Sequence, residues 1–168
     1  MKRYKCTILN LSFLFVLISL LALQPIVAQT IQQEKMQHLS FLIGEWEGIS
    51  TTYKNDTIAT QVAAVTKISY KLDDSIIALD LQAETLQLHT VIYYDDKSKS
   101  YSYNPFYKGG AAKYTAQFSN DKLIVSPSKT KRFIFTTTPD GDFLEYGEIL
   151  VDGEWQLYFK DVFKKVKY

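Results

Sequence analysis

Asp161 is the residue whose position most invites chemistry. Along the last apolar segment Trp155, Leu157, Phe159 and Phe163 share one parity, and Asp161 shares it with them. Side chains alternate across a strand, so a carboxyl falls among residues expected to face inward. An acid held in an apolar space has a perturbed pKa, and it can anchor a polar group or move a proton. A strand that bulges or ends at this point would instead leave Asp161 exposed. A tyrosine or His89 could complete an acid–base pair with it.

The other reactive side chains form weaker patterns. Glu45 and Glu47 flank Trp46, so an inward indole turns both carboxylates to solvent. Glu145 and Glu148 read as opposite faces of one strand, for which a solvated or cross-strand role is the default. His38 and His89 lie in different elements and lack metal-ligand spacing, so the reading is no metal and no cofactor. There is no Gly-x-Ser-x-Gly, phosphate loop or dinucleotide fingerprint, and no catalytic residue is assigned. Asn55-Asp56-Thr57 fits a glycosylation sequon and equally a hairpin turn.

The elements that must position these groups are strands. From Gly44 onward the chain is rich in Thr, Tyr, Ile, Val and Phe, which suit a pleated surface. Turn chemistry recurs at Lys54-Asn55-Asp56, Asp73-Asp74, Asp95-Asp96-Lys97-Ser98, Lys108-Gly109-Gly110, Asn120-Asp121, Pro127-Ser128, Pro139-Asp140-Gly141-Asp142 and Asp152-Gly153. The last of these joins 143–151 to a segment running from 154 to about 166 as a hairpin. The spacing predicts an all-β fold of about ten short strands, a barrel or a sandwich. Met36, Leu39 and Leu42 predict a short helical turn before it, after a polar, unstructured lead-in over 29–34. Neither an internal repeat nor a linker divides residues 29–168 into two domains.

Aromatic residues alternate through these strands. The full chain has 12 tyrosines and 10 phenylalanines, and rings with a polar tip suit a half-wet cavity. Trp46, Tyr103, Tyr114, Phe133 and Trp155 are the expected wall of a ligand site, with Asp161 as its polar anchor. The same aromatics could equally fill the barrel themselves.

His38-Leu39-Ser40-Phe41-Leu42-Ile43-Gly44-Glu45-Trp46-Glu47-Gly48 resembles the opening of lipocalin-like domains, including nitrobindin-type barrels and related bacterial families. In these a helical turn runs into a first strand bearing Gly-x-Trp-x-Gly, here Gly44, Trp46 and Gly48. Asp152-Gly153-Glu154-Trp155 looks like their closing hairpin. The resemblance implies a single up-and-down antiparallel β-barrel of about ten strands whose tryptophan plugs the closed end, with a late basic residue packed over it; Lys160 and Lys164 are the candidates, unless both are solvated. Nitrobindin-like proteins bind haem through a histidine near the end of the barrel. This chain has no histidine after His89, so the resemblance does not carry haem across.

The first 28 residues have the layout of a secretory signal peptide. Lys2, Arg3 and Lys5 precede an eleven-residue run, 13–23, that is apolar apart from Ser19. Pro25 and Ile26-Val27-Ala28 then suit cleavage before Gln29. Cleavage removes Cys6, the only cysteine, and three of the 19 basic residues while all 18 acids remain, for a formal charge of −2. A nearly neutral domain has no electrostatic footprint for nucleic acid, and no membrane span is expected after the signal. The expectation is a periplasmic or secreted barrel binding a small apolar or amphipathic molecule. A barrel isomerase or hydrolase acting on a lipophilic substrate, and a filled barrel working through its outer surface, remain the alternatives.

Overall fold

Three two-residue turns show how the strands are joined. Asn55-Asp56, Asn120-Asp121 and Asp152-Gly153 all take positive φ at both positions, which matches the right-handed twist of a tight hairpin. The computed structural model describes residues 30–84 and 86–167. The proposed signal peptide lies outside these residues.

The strands are β1 (Gly44–Lys54), β2 (Thr57–Lys71), β3 (Ile76–Ala83), β4 (Gln87–Asp95), β5 (Ser100–Tyr107), β6 (Gly110–Ala111), β7 (Tyr114–Ser119), β8 (Lys122–Ser128), β9 (Lys131–Thr137), β10 (Phe143–Val151) and β11 (Glu154–Lys165). Ten of them pair antiparallel into a closed ring in chain order, with β11 returning to β1. The short β6 pairs with β5 only. Among the described residues closure leaves no long sheet edge for another chain to extend. The fold is therefore the expected antiparallel barrel, and among the described residues no helix is long and apolar enough to cross a membrane.

The lead-in differs from expectation. Helix α1 (Ile31–Gln37) begins inside the segment read as unstructured, because Thr30 and Gln33 form a reciprocal capping box that satisfies two free N–H groups. A 3₁₀ turn, Ser40–Leu42, follows. Met36, Leu39 and Leu42 are fully buried and close one end of the barrel. Tyr101 and Tyr70 donate their hydroxyls to the carbonyls of Lys35 and Met36, tying the helix to the strands beneath.

Trp46 plugs this closed end. Its Nε1 donates to the Leu42 carbonyl at 2.9 Å, and its ring lies 5.7 Å from that of Phe143. The basic residue over the indole is Lys165, 5.4 Å from the ring centroid, rather than Lys160 or Lys164. Gly48 allows β1 to approach β11, since a Cβ there would lie 1.9 Å from the Val162 carbonyl oxygen. Above Trp46 a layer of rings, Phe143, Phe163, Phe135 and Tyr103, fills the lower half of the barrel.

Candidate functional site

The upper half is not filled. A cavity of about 290 Å³ remains at the end opposite α1, walled by β1 to β5 and β9 to β11. That is near the lower end of the roughly 300–1,000 Å³ range of small-molecule pockets. Val62, Leu79, Leu81 and Leu88 supply an apolar side; Tyr103, Tyr107, Phe133, Tyr158 and Phe159 supply rings. Two acids, Glu145 and Asp161, face into it, and among the described lining residues none is basic.

A bulge creates this acid pair. Counting back from the Asp152-Gly153 turn would set Glu145 opposite Lys160. Between β10 and β11 the register shifts at Gly147/Glu148, so that Gly147 pairs with Phe159 and Glu148 with Leu157. Tyr158 is the extra residue, and Glu145 consequently pairs with Asp161. Directly opposed residues hold their Cβ atoms roughly 4.5–5.5 Å apart. Gly147 makes room for the distortion, because a Cβ there would overlap the Phe159 ring at 2.2 Å.

Burial and mutual repulsion dominate the electrostatics. Asp161 is only 6% exposed, and its Oδ1 has no hydrogen-bond partner. Desolvation pushes its carboxyl up to about 6, against the opposing pull of the Ser50 hydroxyl and the Thr51 N–H. Glu145 is raised well above the ordinary carboxylate range by burial, and further by the charge of Asp161. The repulsion favours a pair with one carboxyl ionised and the other protonated. Burial also raises Tyr103, Tyr107 and Tyr158, and the charge of Glu145 adds to each. The Tyr158 hydroxyl is buried without a partner. Two unsatisfied polar atoms therefore border one apolar cavity, where a ligand or water can satisfy them.

The structure divides the residues expected to form the wall. Tyr103, Phe133 and Asp161 line the cavity. Tyr114 lies beside the wall, directly opposite Tyr103 across the β5–β7 pair, stacked on it at 6.5 Å and edge-on to Phe133 at 6.3 Å. Trp46 lies in the closed-end core and does not reach the cavity. Trp155 is a correction: it is 37% exposed and packs on the outer face, with the Arg132 guanidinium 4.1 Å above its ring. The bulge at Tyr158 breaks the parity that linked it to Phe159. Arg132 also pairs with Glu148 on that outer face, consistent with an outward role for Glu148.

Glu145 takes the cross-strand role of the two its sequence allows, opposite Asp161, and faces the cavity rather than solvent. The available signal was its parity with Phe143 and Gly147, both of which are buried. His89 cannot complete an acid–base pair with Asp161. It lies on the outer face beside Asp80, with Nδ1 2.6 Å from that carboxylate, along a larger open groove. His38 stacks on Phe118 at 5.4 Å beside the closing helix. Among the described residues no group of three or more His, Cys, Asp or Glu side chains could hold a metal ion.

A scan of protein-family models finds no match, and no curated protein matches the chain. Solved structures do resemble it. The crystal structure of Rv2717c from M. tuberculosis is 10% identical, covers 79% of this chain and 97% of its own, and has a TM-score of 0.52. Zebrafish ileal bile acid-binding protein complexed with cholic acid is 15% identical over 75% of this chain and 99% of its own, with a TM-score of 0.41. A DUF3598-family protein from Nostoc punctiforme is 9% identical over 82% of this chain and 100% of its own, with a TM-score of 0.27. The latter two are too loose to bear on function, so the likeness to Rv2717c extends to the fold alone. The comparisons support the barrel fold and leave its ligand to the chemistry of the cavity.

Proposed function

We propose that this protein is an exported binding barrel that holds a small amphipathic molecule in its upper cavity. The observation that carries this reading is the cavity itself: an aromatic and aliphatic wall with the unsatisfied Asp161 Oδ1 and Tyr158 hydroxyl at its polar side. Export rests on the charged leader, the short apolar run and the Ile26-Val27-Ala28 site. Native mass spectrometry of protein purified from its own host tests binding, with a bound small-molecule mass expected. A clean apo mass, together with no change in intrinsic fluorescence across a panel of lipids and aromatic probes, refutes it. Cell fractionation with N-terminal sequencing tests export. A periplasmic or secreted chain beginning at Gln29 is expected, and an unprocessed chain retained in the cytoplasm refutes that part.

The acid pair favours a second reading, an acid–base enzyme on the same barrel. An ionised Asp161 would take a proton from a lipophilic substrate, and a protonated Glu145 would return one, as an isomerase requires. Turnover that Asp161→Asn abolishes while substrate still binds would establish it. Binding without turnover across lipophilic isomerase and hydrolase substrates would return the barrel to the first reading.

A further inference from the structure

We infer that the ligand is a small lipophilic amine whose ammonium group is received by Glu145 and Asp161, an inference that rests on the binding reading above and narrows it. All the charged side chains among the described lining residues are acids. Neither acid forms an ion pair with a basic side chain of the described chain. Two opposed carboxyls in a largely apolar cavity are a costly arrangement without a cation, because each raises the other's cost of ionisation. A single ammonium removes that cost. It offers three donors, enough for the free Asp161 Oδ1 and for the neighbouring carboxyl of Glu145.

The remaining wall suits the same class. Aromatic faces attract cations, and two rings of the wall already show the contact: the Lys131 ammonium sits 4.6 Å from the centre of the Tyr158 ring and 5.7 Å from that of Phe133. The hydrocarbon part of an amine would lie against Val62, Leu79, Leu81 and Leu88. A carboxylate ligand would instead bring a further negative charge against the acid pair, leaving Lys131 as its attractive partner. The other titratable side chains lining the cavity are Tyr103 and Tyr107 of β5 and Tyr158 of β11, and its hydroxyls are Ser50 and Thr52 of β1 and Thr60 of β2. Tyr114 of β7 lies beside Tyr103. The tyrosines on this wall are neutral at physiological pH, so the charge the ligand meets is that of the acids.

A matched series of probes tests this: 2-phenylethylamine, 2-phenylethanol and 3-phenylpropanoate, titrated calorimetrically into the purified protein at about pH 7.5 and about pH 5. The amine should bind at least about tenfold more tightly than the alcohol at the higher pH, with the propanoate weakest. That preference should shrink at the lower pH as the pair becomes protonated. In the Asp161→Asn/Glu145→Gln double variant, with its fold checked by circular dichroism, the amine-to-alcohol ratio should fall towards one. An alcohol that ties with the amine, or a propanoate that exceeds it, overturns the inference while leaving a binding barrel intact. A double variant that is folded and still prefers the amine overturns the assignment of the two acids. If none of the three binds at concentrations on the order of millimolar, the amine inference fails, and the host-purified mass and the wider probe panel decide whether the binding reading fails with it.

Discussion

Replacing Asp161 by asparagine should change stability in a way that depends on pH. The carboxyl of Asp161 is pushed from an ordinary 3.8 to about 6, chiefly by burial. A raised carboxyl pKa means that the folded protein binds this proton more tightly than the unfolded chain does. The penalty for ionising Asp161 is therefore absent below about pH 4 and fully present above about pH 6. The difference between 3.8 and about 6 corresponds to a penalty on the order of 3 kcal/mol. Asparagine cannot ionise, so Asp161→Asn lifts the penalty and also relieves the repulsion on Glu145. The preference of Ser50 and of the Thr51 N–H for the ionised carboxyl opposes the burial and is already contained in the value of about 6. Relative to wild type, the variant should gain on the order of 2–3 kcal/mol more at about pH 7.5 than at about pH 4. Equilibrium urea denaturation followed by ellipticity at both pH values measures this. Using the difference between the proteins cancels the other titrating groups, such as the exposed Asp95, whose lowered pKa acts in the opposite direction. An Asn variant whose stability relative to wild type is the same at both pH values would refute a buried, ionising Asp161.

Further substitutions test the rest of the architecture. Tyr158→Phe removes a buried hydroxyl that has no partner, so the ligand-free protein should be unchanged or gain up to about 1 kcal/mol in urea denaturation. A loss of more than that would show that the hydroxyl is satisfied in solution. Gly48→Ala sets a Cβ 1.9 Å from the Val162 carbonyl oxygen and should cost at least about 2–3 kcal/mol, or prevent closure of β1 on β11, measured by thermal melting. Trp46→Phe leaves the buried Leu42 carbonyl without its donor and should cost about 1–3 kcal/mol beyond the lost volume, read from the same melts. Trp155→Ala should leave probe binding in the cavity unaltered by calorimetry, since the indole lies outside under Arg132; an affected cavity would contradict the bulge.

Local chemistry was enough to determine the strands and the hairpins that join them. Asn55-Asp56, Asn120-Asp121 and Asp152-Gly153 tolerate positive φ, so each hairpin can be read without knowing what packs beneath it. The buried triplet Met36, Leu39 and Leu42, and Trp46 between two acids, were legible for the same reason: helical spacing and strand alternation are properties of neighbouring residues. The polar site was not. Alternation carries a side chain's facing only as far as the register holds, and one extra residue reverses it for everything on the far side. The bulge at Tyr158 turned Trp155 out of the wall and exchanged a Glu145–Lys160 pairing for Glu145–Asp161. The sequence places an aspartate among the rings of a strand. That this aspartate meets a second acid across the sheet depends on Gly147 yielding to the Phe159 ring, a contact between two strands that only the closed barrel brings together.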